Sequence, residues 1–197
     1  MLQSRFLKIS FVIAIFILGP CACNPCGEVP LHFIVQSIDA ENYHVASNSF
    51  EMRSIEANVV LDWDEYALMV PFNVEYTAHL GGTGFAAYAT SCVEKGERGA
   101  NTGLKEIFVI AENDYNVSYH KNDTVNEMVS IGARIDYMMS MAEFKSQNAP
   151  VLFARQAIIK LKEAPANDLD FYQFKVVVHL LNGDVFSATC SPVMLEK

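Results

Sequence analysis

Residues 66–80 alternate without interruption: Leu68, Val70, Phe72, Val74, Tyr76, Ala78 and Leu80 interleave with Met69, Pro71, Asn73, Glu75, Thr77 and His79. Successive side chains of a strand point to opposite faces, whereas a helix repeats every 3.6 residues. Period two over this length therefore demands a long strand with one buried and one solvated face. Pro71 has no N–H to give to a ladder, which predicts a sheet edge at that point, or a bulge.

Similar alternation at Ile55, Ala57, Val59 and Leu61, and β-rich runs at 31–38, 85–92, 104–111 and 151–162, extend the pattern. Turn-rich stretches separate them, among them Gly81 to Gly84, Glu97 to Gly103 and Glu112 to Asn116. Several strands at short spacing without alternating helices predict an all-β fold, an antiparallel immunoglobulin-like β-sandwich. Near the C-terminus, Phe174, Val176, Val178 and Leu180 share one face with Phe186, Ala188 and Cys190. A two-residue Asn182-Gly183 turn would oppose Val178 to Ser187 and put Phe186 on the wrong face. A three-residue loop, Leu181-Asn182-Gly183 with Gly183 left-handed, pairs Val178 with Phe186 and Phe174 with Cys190, and is the expected turn. From Arg134 to Gln147, Ile135, Met138, Met139 and Ala142 recur at helical spacing, which predicts one short helix of about three turns over an end or edge of the sandwich. Met128, Met138, Met139 and Met141 are read as core packing, with an adaptable binding surface as the alternative.

The first residues are of another kind. Arg5 and Lys8 precede an uncharged, apolar run from Ile9 to Gly19 that ends in Cys21, Cys23 and Cys26. A basic start, a short apolar stretch and small residues before a cysteine read as an export signal. The run is too short to cross a bilayer core of about 30 Å. The cysteine at its end points to a lipoprotein signal peptide over residues 1–22, an anchor linker over 23–29 and one sandwich domain over 30–197. Cys23 is the preferred lipidation site because Ala22 precedes it, whereas Pro20 before Cys21 is a poor substrate position. Cys21 stays open as the alternative, since Leu18 stands three residues before it.

The leader holds two of the 14 basic residues and none of the 23 acidic ones, so the mature chain carries a net charge of −11. Such a surface repels polyanions, which argues against a nucleic-acid partner. An exported location permits disulfides, and Cys92 with Cys190 is the preferred pair because both lie at the ends of expected strands. Buried, unpaired thiols are the alternative.

The cysteine-bearing leader, Ala87-Tyr-Ala-Thr-Ser-Cys92, Ile107-Phe-Val-Ile-Ala-Glu-Asn-Asp114-Tyr115-Asn116 and the hairpin from Phe171 to Leu195 together resemble uncharacterised lipoproteins of Bacteroides-type bacteria, a domain of unknown function. The resemblance implies an all-β protein held in the envelope by its lipid, and it carries no catalytic residue. In such bacteria acidic residues after the lipidated cysteine direct display at the cell surface. Here Asn24-Pro-Cys-Gly27 follows, with only Glu28 acidic, which favours a periplasm-facing place at the outer membrane over surface exposure. The same bacteria glycosylate exported proteins at Asp, then Ser or Thr, then an aliphatic residue; Asp123-Thr124-Val125 makes Thr124 a glycosylation candidate.

Motifs that carry chemistry are sparse. The histidines at 32, 44, 79, 120 and 179 fall in no metal-binding pattern, and His79 and His179 occupy the polar phase of strands. Asp62-Trp63-Asp64-Glu65 reads as a solvated turn, because three ligand residues are too few for the six to eight oxygens that Ca²⁺ takes and no glycine-turn ligand pattern follows, with a weak surface ion site as the sharper option. Trp63 is expected in the core, with sugar stacking as the sharper option. Gly81 to Gly84 lacks the Lys-Ser or Lys-Thr of a phosphate loop, no serine stands in G-x-S-x-G, and no basic group near Cys92 would activate it. No metal, cofactor or catalytic residue is expected. Three functions remain: a lipid-anchored, non-catalytic sandwich whose loops, such as 81–84 and 94–103, recognise an envelope protein or glycan; an envelope hydrolase assembled from remote Asp, Glu and His residues; and a structural accessory subunit of an outer-membrane complex.

Overall fold

The computed structural model describes residues 30–46, 51–55, 59–77 and 94–197. The described residues form an all-β sandwich with one short α-helix. The strand of strict alternation is β5, Tyr66–Thr77, within a larger sheet. On one side β5 meets β9 (Gln156–Leu161), which is followed by β7 (Val129–Arg134) and β8 (Tyr137–Met139). On its other side lie β1 (His32–Ile38) and β2 (Glu41–Val45), with β3 (Met52–Ser54) outside β2. A three-stranded sheet of β6 (Leu104–Ala111), β11 (Phe174–Leu180) and β12 (Val185–Thr189) packs across the core. A third, small sheet joins β10 (Asp170–Tyr172) to β13 (Val193–Glu196), which pairs in parallel with β4 (Val60–Asp62).

Leu68, Val70 and Phe72 of β5 are buried against Ile107 and Val109 of β6 and Val176 and Val178 of β11 in one core cluster. Tyr66 stacks on Phe174 between the sheets, with ring centroids 6.1 Å apart. The opposite face of β5 is less solvated than alternation alone suggests. Ala67 and Ile158 are buried there under Tyr43, Met52, Met69 and Ile135.

Pro71 is neither at an edge nor in a bulge of its own strand. It pairs with Gln156 of β9 on one side, and its carbonyl accepts from Asp39 N–H at 3.2 Å on the other. β1 shifts register between Val35 and Ser37; beyond that its end and the start of β2 share one register along β5, Ile38 opposite Phe72 and Glu41 opposite Met69, and separate at Asp39 and Ala40 beside Pro71. The donor that proline lacks is thus absorbed by a break in the neighbouring strand, and β5 stays central.

The C-terminal hairpin has the expected three-residue loop. Leu180 N–H donates to Asp184 O at 2.9 Å and Gly183 N–H to Leu180 O at 3.1 Å, with Gly183 at φ +96°. Val178 faces Phe186, and Cys190 N–H donates to Phe174 O. The run 104–111 coincides with β6, whereas 151–162 holds strand only over β9. The alternation at 55–61 holds strand only from Val60, with residues 56–58 outside the described residues. The run 85–92 is also outside them.

The helix is shorter than its spacing suggests. α1 covers Met141–Asn148, while residues 134–139 belong to the β7–β8 hairpin. Ser140 Oγ accepts from Glu143 N–H, and the Glu143 carboxylate accepts from Ser140 N–H, so a capping box starts the helix there. α1 packs on β6 and β7 through Phe144. Met128 is fully buried and Met139 and Met141 pack on the core, as the core reading of the methionines expects, whereas half-buried Met138 is not among the residues packed on it.

Candidate functional site

The loops after β6 and β9 close one end of the sandwich around two buried tyrosines. Tyr115 is fully buried and its hydroxyl donates to Glu163 O at 2.6 Å, while Ala166 N–H donates to Tyr115 O at 2.8 Å. Its ring meets Tyr172 edge-on at 5.2 Å. The Tyr172 hydroxyl donates to Asn167 O at 3.0 Å and accepts from Asn167 N–H at 3.3 Å. Burial, and after it the neighbouring Tyr172 and Glu163, holds the Tyr115 phenol far above its ordinary range.

On this base sits a loop whose backbone is fixed by its own side chains. Asn116 Oδ1 accepts from the N–H groups of Ser118 and Tyr119. Asp114 accepts from Lys121 N–H at 2.8 Å, and Asp123 from His120 N–H at 2.7 Å. Short Asn and Asp side chains make such local turns cheaply. At the tip Val117 is 90% exposed, although nothing in the core requires it to be there. Residues 62–66, 112–127, 162–170 and 196–197 gather at this end and carry eleven acidic against three basic side chains.

A cavity of about 400 Å³ lies on the flank between α1 and β6. Met141, Ala142 and Ile107 supply apolar lining, and Asn126 contributes an amide already committed to Val109 N–H and Ile107 O. Lys145 pairs with Glu106 at its rim.

The sequence candidates are scattered. Cys190 is a buried free thiol, 1% exposed, whose Sγ accepts from Phe174 N–H at 3.3 Å. The expected Cys92–Cys190 disulfide is therefore not formed. The strand end that carries Cys190 turns it into the core beside Tyr66 rather than toward a loop, and Cys92 is outside the described residues. Cys21, Cys23, Cys26, His79 and the loop 81–84 are also outside them. Thr124 is exposed on the acidic end, next to buried Val125. Asp62 precedes a 3-10 turn at Trp63–Glu65, and Trp63 packs partly buried on the core. Glu65 pairs with His44 Nε2 at 2.9 Å. His179 sits half-buried on β11, edge-on to Phe108. Among the described residues no three His, Cys, Asp or Glu side chains are placed to hold a metal ion, and no helix is long and apolar enough to cross a membrane.

The loop 94–103 is bound along β1 rather than held free. Gly96 N–H donates to Pro30 O, Arg98 N–H to Leu31 O and Phe33 N–H to Gly99 O. Sequence reasoning missed the loop around Val117 as a site. Its signal was the spacing of Asp114, Asn116 and Asp123, side chains that cap backbone donors. Comparison with protein-family models, with curated proteins and with solved structures gives no match.

Proposed function

We propose that this chain is a lipid-anchored protein of the bacterial outer membrane, acylated at Cys23, whose sandwich is a non-catalytic module that binds an envelope protein or glycan through its acidic end. The observation that carries the binding reading is the loop 112–123. A tip that lifts an apolar Val117 into water would be expected to be loose, yet here its backbone is fastened by Asp114, Asn116 and Asp123 and seated on buried Tyr115. Fastening in advance lowers the ordering cost of association, which is what a recognition loop needs. Thr124 on the same loop is the position where a glycan would extend that surface.

The anchor reading rests on the leader, and intact mass of the membrane-extracted protein tests it. An N-terminal Cys23 carrying acyl chains is expected, and an unmodified N-terminus downstream of Cys26 overturns it. A photo-crosslinking residue at position 117 in cells tests the binding reading. Adducts to an envelope protein or glycan support it, and an unreacted surface overturns it.

A further inference from the structure

The sandwich has two unlike ends, and the chain enters at the one opposite the acidic loops. Pro30 accepts from Gly96 N–H, and the loop 94–103 then runs to two further segments. Ala100 N–H donates to Leu152 O at 2.8 Å, Leu152 N–H to Thr102 O at 3.0 Å, and Leu181 N–H to Gly103 O at 2.9 Å. Three segments distant in sequence, 94–105, 149–155 and 181–184, are thereby sewn into one surface around the entry point.

That surface is apolar at its tips and nearly neutral. Phe153 is 56% exposed and Leu181 57%, each on a segment held by backbone hydrogen bonds. The three segments carry four basic side chains against three acidic, in a chain whose other end is strongly acidic. Six residues lie between Cys23 and Pro30, seven Cα-to-Cα steps. Fully extended they span at most about 25 Å, at up to about 3.6 Å per residue. β5 alone has 12 residues, about 40 Å of strand, so such a tether holds the entry end within reach of the bilayer, whereas the acidic end can stand about 40 Å further off.

We propose that the entry end is a membrane-contacting face, in which Phe153 and Leu181 insert into the headgroup region of the bilayer while the acidic end points away from it. This rests on the reading of Cys23 as the lipid site. Aromatic and aliphatic side chains gain by leaving water for the interface, and a surface without excess negative charge is not repelled by anionic lipid. One bilayer contact thus accounts for the short tether, the exposed apolar tips and the opposite polarity of the two ends.

The test uses acylated, full-length protein reconstituted into phosphatidylethanolamine and phosphatidylglycerol vesicles with brominated acyl chains. Tryptophan is introduced separately as Phe153→Trp, Leu181→Trp and, at the acidic end, Val117→Trp, and fluorescence is compared with the same protein in non-brominated vesicles. Phe153→Trp or Leu181→Trp is expected to lose at least twofold more emission to the bromine than Val117→Trp, above the background of native Trp63. Equal quenching at all three positions, with the acyl mass intact and the protein floating with the vesicles, overturns the orientation and leaves the anchor standing. Protein that lacks the acyl mass and fails to float overturns both.

Discussion

Phe174 and Cys190 bond each other twice: Phe174 N–H donates to Cys190 Sγ at 3.3 Å, and Cys190 N–H donates to Phe174 O at 3.0 Å. The thiol replaces a ladder carbonyl as acceptor at the end of the β11–β12 pair, and it does so inside the core.

Burial pushes the Cys190 thiol up, so it should be inert while the chain is folded. Mass mapping after brief alkylation is expected to show Cys190 unmodified in buffer and modified in denaturant. A native Cys190 disulfide in the same map would refute the free thiol. Cys190→Ala should cost about 1–2 kcal/mol by chemical denaturation, from the lost acceptor and the small void.

Stability should fall at alkaline pH. The buried phenols of Tyr66 and Tyr115 are raised in the folded state, while the unfolded chain releases those protons near the ordinary value of 10.0. The folded state then binds more protons, so its advantage is complete below that pH and shrinks as pH rises past it. Cys190 adds the same sign from its ordinary 9.0. Denaturation midpoints between pH 8 and 11 should decline, and Tyr115→Phe should decline less steeply above pH 10. The same variant should cost about 1–2 kcal/mol at neutral pH, because it strands the Glu163 carbonyl.

Two glycines should fail for different reasons. An added Cβ at Gly103 would lie 1.7 Å from Ala149 O, whereas at Gly183 it meets nothing within 4 Å but must tolerate φ +96°. Gly183→Ala should therefore cost only backbone strain, about 1–2 kcal/mol. Gly103→Ala must displace backbone and should cost more, together with the seam between residues 102–103 and 149–152. Urea denaturation that ranks them in reverse order would contradict the close approach.

Val117→Asp should separate binding from stability. At 90% exposure the change should move stability by less than about 0.5 kcal/mol. Cross-linking from neighbouring Ser118 should nonetheless fall at least tenfold, and unchanged capture would remove Val117 from the recognition surface.

The C-terminal hairpin was legible because two independent local constraints agree: the phase of Phe174 to Leu180 and a glycine able to take positive φ at 183. The helical reading of residues 134–147 fails at its start because Ile135, Met138 and Met139 satisfy a helical spacing while Ile135 lies in the β7–β8 turn and the two methionines on β8. The stronger local cue was the capping box of Ser140 and Glu143, which marks the helix start directly. At Pro71 the chemistry was read correctly, a missing donor, but the remedy was not local.

What the amino-acid order determines by itself is that β5, β6 and β11 are extended, which face of β5 and β11 meets the core, and where the last turn falls, since these depend on side-chain period and glycine conformation within a few residues. Only the tertiary structure decides that Asp39 breaks opposite Pro71, that Cys190 turns inward, and that segments near residues 30, 100, 152 and 181 meet at one end while acidic loops meet at the other. These are pairings between strands far apart in sequence. Their geometry follows from how two sheets bury a shared core, and no local pattern encodes it.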